Sequence, residues 1–132
     1  MTEILENLFS EDRITPPANI YNTFKELFPN SINEDWTEEN DFWEVIFYDN
    51  QKENIAQLNF DGSLRETRLN MNKDDLPDFI THSIQAKGEI MNIIAIQKPQ
   101  MLFWEIIYRD KDLNRYLSVL DADGIRISHK KL

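Results

Sequence analysis

The side chains able to do chemistry are few, and their spacing suits none of the common reactions. The two histidines, His82 and His129, belong to no His-x-x-x-His or carboxylate-bracketed pattern of the kind that seats zinc. His82 sits in a helical pattern beside Thr81 and Ser83, and His129 sits in a charged tail with Lys130 and Lys131, so both read as exposed or capping. Glu44 and Glu105 hold equivalent places in two similar segments, and paired carboxylates can act as acid and base. Duplication of one strand explains them more simply. The segment "DADG" suggests a calcium loop, but such a loop needs oxygen ligands across about twelve positions, ending in a bidentate acid. Ile125 to His129 supply no such acid, so a turn is the better reading. There is no Ser-His-Asp arrangement or nucleophile elbow. Gly62, Gly88 and Gly124 are the only glycines, each taken by a turn or a helix end, which leaves nothing for a phosphate-cradling loop. The expectation is a protein that is not an enzyme and holds no metal or cofactor.

The chain has 132 residues, 41% hydrophobic and 29% charged, which suits a single domain with one core. It contains no cysteine, which excludes disulfides and thiolate metal sites. With 14 Lys and Arg against 24 Asp and Glu the net charge is −10. That argues against nucleic acid, whose binding depends on cationic contacts to phosphate, and suits either solubility or attraction to a basic protein surface. The most apolar run, "GEIMNIIAI", is too short to span a membrane. The acidic N-terminus shows no apolar leader, so a cytoplasmic protein without membrane association is expected.

Positioning elements emerge from a repeat. "FWEVIFYD" from Phe42 is echoed by "FWEIIYRD" from Phe103. Each is followed by an Asp-Gly turn, "NFDG" and "DADG", and preceded by a proline-started helical pattern at Pro17 and Pro77. The three markers keep their order, with offsets agreeing to within one residue each way. In the first helix Ile20, Phe24, Leu27 and Phe28 form the stripe, with Thr15 able to cap; in the second, Leu76, Ile80 and Ile84 do, with Asp74 or Asp75 capping and Phe79 at the flank. After each helix the apolar period drops to two. The strands read "SINEDWT", "FWEVIFY", "NIAQLNF" and "LRETRL", then "MNIIAI", "LFWEIIY", "NRYLSVL" and "IRISHK". The fold class is α+β: two tandem helix-plus-four-strand units forming one curved antiparallel sheet with helices on one face. Residues 15–70 form the first unit, 71–132 the second, and residues 1–14, with Ile4, Leu5, Leu8 and Phe9, a short N-terminal helix.

Alternation assigns faces. Trp43, Val45 and Phe47, with Trp104, Ile106 and Tyr108, form the apolar set and should lie beneath the helices. The opposite face carries Glu44, Ile46 and Tyr48, with Ile55 and Gln57 from the third strand. The second unit adds Glu105, Ile107 and Arg109, with Leu117 and Val119. A face meeting only water would rarely group so many aliphatic side chains, which marks an interface. Residues Met1 to Asp41 hold ten acids against two bases, a second candidate rim in which Trp36 is either an aromatic anchor or a core residue of the first strand.

These features resemble the PepSY-like family, also described as β-lactamase-inhibitor-like. The resemblance rests on Pro17 and Pro77, "FWEVIF" and "FWEIIY", "NFDG" and "DADG", and covers the chain from about Pro16 onward. It implies the tandem architecture, an exposed sheet face that grips another protein, and no catalytic residues. Family members are typically exported, unlike the expectation for this chain. The inhibitor protein also uses disulfides, which this chain cannot form, so its β-lactamase target does not carry over. The expected function is a protein-binding module of inhibitor or immunity type. The alternatives are a homodimer or other structural oligomer, and a binder of a small apolar ligand.

Overall fold

The structure, a computed structural model, describes residues 14–132. The helix expected over Ile4 to Phe9 lies outside the described residues. In chain order come helix α1 (Ala18–Leu27), strands β1 (Ile32–Glu38), β2 (Phe42–Asp49), β3 (Lys52–Asn59) and β4 (Leu64–Asn70), and a 3-10 turn (Lys73–Asp75). Helix α2 (Asp78–Gln85) and strands β5 (Glu89–Lys98), β6 (Met101–Arg109), β7 (Arg115–Asp121) and β8 (Arg126–Lys131) complete it. The eight strands form one antiparallel sheet in sequential order, an α+β fold. The chain divides into two compact units inside β4, between Arg65 and Glu66.

In the first unit α1 starts on Pro17, whose carbonyl accepts from the Ile20 and Tyr21 amides; no side chain caps it, so Thr15 does not serve. A proline wastes no amide at this position. Ile20 and Phe24 are fully buried, but Leu27 points outward. Phe28, four residues beyond Phe24, takes the inward place instead, its ring 4.7 Å from that of Phe47. The helix lies on Trp43, Val45 and Phe47 of β2 and on Ala56 and Leu58 of β3, all buried. β1 pairs with β2 through an irregularity between Ile32 and Asp35, where Asn33 adopts φ 54°. The β3–β4 turn needs Gly62 at φ 90°, closed by the Gly62 amide on the Asn59 carbonyl.

The second unit is built from different side chains. Asp75 does not cap α2; it closes the 3-10 turn, accepting from the Asn72 amide at 3.2 Å. Pro77 provides the first carbonyl of α2, as Pro17 does for α1. Leu76, Ile80 and Ile84 face a core of Ile93, Ala95, Trp104, Ile106, Tyr108 and Leu120. Phe79 stays exposed against the Gly124 turn. No described helix is long and apolar enough to cross a membrane.

Candidate protein-docking face

Direct cross-strand partners project from the same side of a sheet, so register shows which candidate residues meet. In the first unit β2 and β3 pair Glu44 with Gln57, Ile46 with Ile55, and Tyr48 with Glu53. The Gln57 amide donates to Glu44 Oε1 at 3.1 Å, and the Tyr48 hydroxyl to Glu53 Oε2 at 3.2 Å. All five candidates of this unit therefore share the face turned away from α1. Tyr48 is 36% exposed, and the other four are half-buried against one another.

In the second unit β6 and β7 pair Glu105 with Val119, Ile107 with Leu117, and Arg109 with Arg115, again on the face opposite the helix. Arg109 is drawn to Glu89 across β5, Nη2 to Oε2 at 3.0 Å. Arg68 Nη2 lies 2.7 Å from Glu105 Oε2, a charge-assisted bond on a half-buried surface. Beneath that pair runs a shallow groove of about 300 Å³, lined by Ile96, Phe103, Val119 and Ile127 with a rim of Arg68, Glu105, Glu66 and Lys98. Ile96, Phe103 and Ile127 were absent from the candidates read from the sequence. Phe103 and Ile96 obey the period-two rule that selects Glu105 and Ile107, so that signal was present. Ile127 arrives beside them through a register shift between Val119 and Leu120, which no pattern announces.

Trp36 is corrected from rim to core. It is 7% exposed, its ring 5.1 Å and nearly perpendicular to Phe24 and 6.5 Å from Trp43. The reason is register: Trp36 faces Val45, and so shares the helix side of the sheet. Its other contact, Tyr21 at 6.4 Å, helps it line a surface hollow of about 570 Å³ between residues 14–16 and β1. Glu34 beside it is held by Lys25 at 2.8 Å and by Ser31.

The histidines stand apart from this face. His82 Nδ1 lies 2.9 Å from the Asp78 carbonyl, within its own helix. His129 is exposed but not idle: Nε2 is 2.8 Å from the Tyr108 hydroxyl, and its ring stacks on Tyr116 at 5.2 Å. The Tyr116 hydroxyl donates to Asp110. Partial desolvation, then that bond and the Asp110 charge, raise the Tyr116 phenol above its ordinary value. For Asp110 desolvation acts upward, but the Asn114 and Asp112 amides outweigh it and hold the carboxyl below its ordinary 3.8. Among the described residues no three His, Asp or Glu side chains are grouped to hold a metal ion.

No protein-family model matches the chain, and no curated protein does. Solved structures do. A BLIP-like protein from Bacteroides fragilis superposes with a TM-score of 0.72 at 12% identity, covering 93% of this chain and 91% of its own. A DUF2874 family protein from Bacteroides ovatus gives 0.70 at 18% identity, covering 89% of each chain. A Bacteroides eggerthii protein, described as "putative periplasmic", gives 0.72 at 14% identity over 89% of this chain and 90% of its own. The fold is therefore BLIP-like. The cytoplasmic expectation is withdrawn: the chain shares its fold with the Bacteroides eggerthii protein described as "putative periplasmic".

Proposed function

We propose that this chain is a non-enzymatic protein-binding module of inhibitor or immunity type, built from two tandem helix-plus-four-strand units on the PepSY-like plan. Its contact surface is the sheet face turned from the helices: Glu44, Ile46, Tyr48, Ile55 and Gln57 in one unit, Glu105, Ile107, Arg109, Leu117 and Val119 in the other. The partner is another protein with a basic surface, attracted by the net charge of −10. One observation carries the reading. In the second unit the face is not a polar solvent surface but an aliphatic and aromatic groove, Ile96, Phe103, Val119 and Ile127, ringed by ion-paired charges. That is the anatomy of an interface, an apolar centre within a polar rim. The likeness to a BLIP-like protein agrees with it.

The test is a double substitution, Tyr48→Ala with Ile107→Ala, assayed by titration calorimetry against the partner recovered from the native cell. Loss of these two side chains should weaken binding by about thirtyfold or more, about 2 kcal/mol, with the thermal midpoint of the free protein little changed. Unaltered affinity would remove the face from the account.

A further inference from the structure

The two outermost strands carry opposite charges. β1 contributes Glu34, Asp35 and Glu38 with no cation, and β8 contributes Arg126, Lys130 and Lys131 with no acid. In a chain of net charge −10, a wholly basic strand is a local exception. Apart from buried Trp36 and half-buried Glu34, every residue of both strands is exposed. Among the described residues each strand pairs on one side only, β1 with β2 and β8 with β7, so each presents a row of outer amides and carbonyls. Such edges template pairing with another chain unless charge or irregularity blunts them. Like charges directly opposite one another destabilise a strand pair, so β8 against β8 and β1 against β1 are both disfavoured. β1 against β8 is not.

We infer that β8 of one copy accepts β1 of a second copy as an antiparallel neighbour, a heterologous contact between copies of this chain. The register that sets Lys131 opposite Glu34 also sets Lys130 opposite Asp35, and the extra residue of β8 at Ile127 then leaves Arg126 opposite Glu38, the last residue of β1. The faces agree as well. His129 and Lys131 share the helix side of β8, being paired with Ser118 and Tyr116, while Trp36 and the Lys25-bound Glu34 share the helix side of β1. Lys130 and Asp35, paired with Leu117 and Ile46, lie on the opposite side. Exposed ion pairs contribute little each, and two acidic copies repel, so the contact is weak and rises with concentration. A heterologous contact extends into short chains or closes into a ring. It uses strand edges rather than the sheet face, so its failure leaves the docking proposal above standing.

Salt screens the edge attraction and the overall repulsion alike, which makes ionic strength a poor probe. Edge-blocked variants discriminate. Sedimentation velocity of the wild type should show species heavier than a monomer, growing with concentration. Lys130→Glu with Lys131→Glu should be monomeric, as should Asp35→Lys with Glu38→Lys, both with unchanged circular dichroism; all four positions are exposed. Mixed in equal amounts, the two variants should associate again, because each retains the edge that the other lacks and the two reversed edges are themselves opposite in charge. Lys87→Glu with Lys111→Glu, exposed positions away from both edges that change net charge by the same amount as the β8 pair, should associate as the wild type does. A wild type that stays monomeric at its highest soluble concentration, a mixture that stays monomeric, or blocked variants that associate undiminished would each overturn the inference.

Discussion

The two units solve one packing problem with different chemistry. In the first, α1 is seated by rings: Phe24 meets Trp36 at 5.1 Å and Phe47 at 4.9 Å, both edge to face, and Trp36 meets Trp43 at 6.5 Å. In the second, α2 is seated by branched aliphatics, Ile80, Ile84, Ile93 and Ile106, around the single indole of Trp104. Three further rings gather at one end, where Tyr108, Tyr116 and His129 stack at 5.2 to 6.1 Å. Edge-to-face ring pairs add about 0.5–1.5 kcal/mol each beyond the area they bury. Stiff β-branched residues instead lose little rotamer freedom when strands and helix close on them. What is held constant between the units is the position of apolar volume, and what varies is how that volume is filled. Cores tolerate such exchange so long as patterning and volume persist.

The sharpest break of this comparison is Phe24→Ala, which removes the ring shared by Trp36, Phe47 and Phe28. About 3–5 kcal/mol should be lost, and hydrogen exchange should accelerate first in β1 to β3. The matching cut in the second unit, Ile80→Val, should cost only about 1 kcal/mol by urea denaturation, since one methyl is removed from a core able to relax. Intermediate in size is Gly88→Ala. A methyl at Gly88 would overlap the Arg109 carbonyl oxygen, a backbone atom that cannot step aside, so about 1–3 kcal/mol should be lost. At the first unit's helix end the chain passes through Pro29 and Asn30, and no glycine there imposes this demand.

The smallest effect concerns turn carboxylates. Asp61 in the first unit is held below its ordinary value by the Ser63 hydroxyl and amide, and Asp110 in the second by the Asn114 and Asp112 amides against an opposing desolvation. Because the folded carboxyl is the stronger acid, the unfolded chain takes up the proton first as pH falls. The stabilisation is complete above the unfolded value and fades as pH drops through the lowered folded one. Asp110→Asn should therefore make the acid limb of a stability-versus-pH curve shallower and change stability modestly at neutral pH. Asp61→Asn should do the same.

The two strands that spell FWE were readable because period two leaves only one apolar set to bury, and Trp43, Val45, Phe47, Trp104, Ile106 and Tyr108 are all buried. The helices were readable from their prolines and from Ile20, Phe24, Ile80 and Ile84. Leu27 was misplaced because it is the last residue of α1, and Phe28, the cap that follows it, takes the inward position. Asp75 was misplaced because a 3-10 turn and a helix N-terminus use the same residue types. Ile127 beside Phe103, and His129 beneath Tyr108, depend on long-range register between β6, β7 and β8. A shift of a single residue rewrites that adjacency without altering any local pattern.

The placement of the three indoles has an optical consequence. Trp36 and Trp43 cross at 70° with centroids 6.5 Å apart, close enough for their transitions to couple, whereas Trp104 meets no other ring among the described residues. Replacing Trp104 with Phe would leave emission that originates wholly in the first unit, and replacing the other two would isolate the second. The chain thus carries intrinsic reporters by which the loosening of either unit can be followed without an added dye.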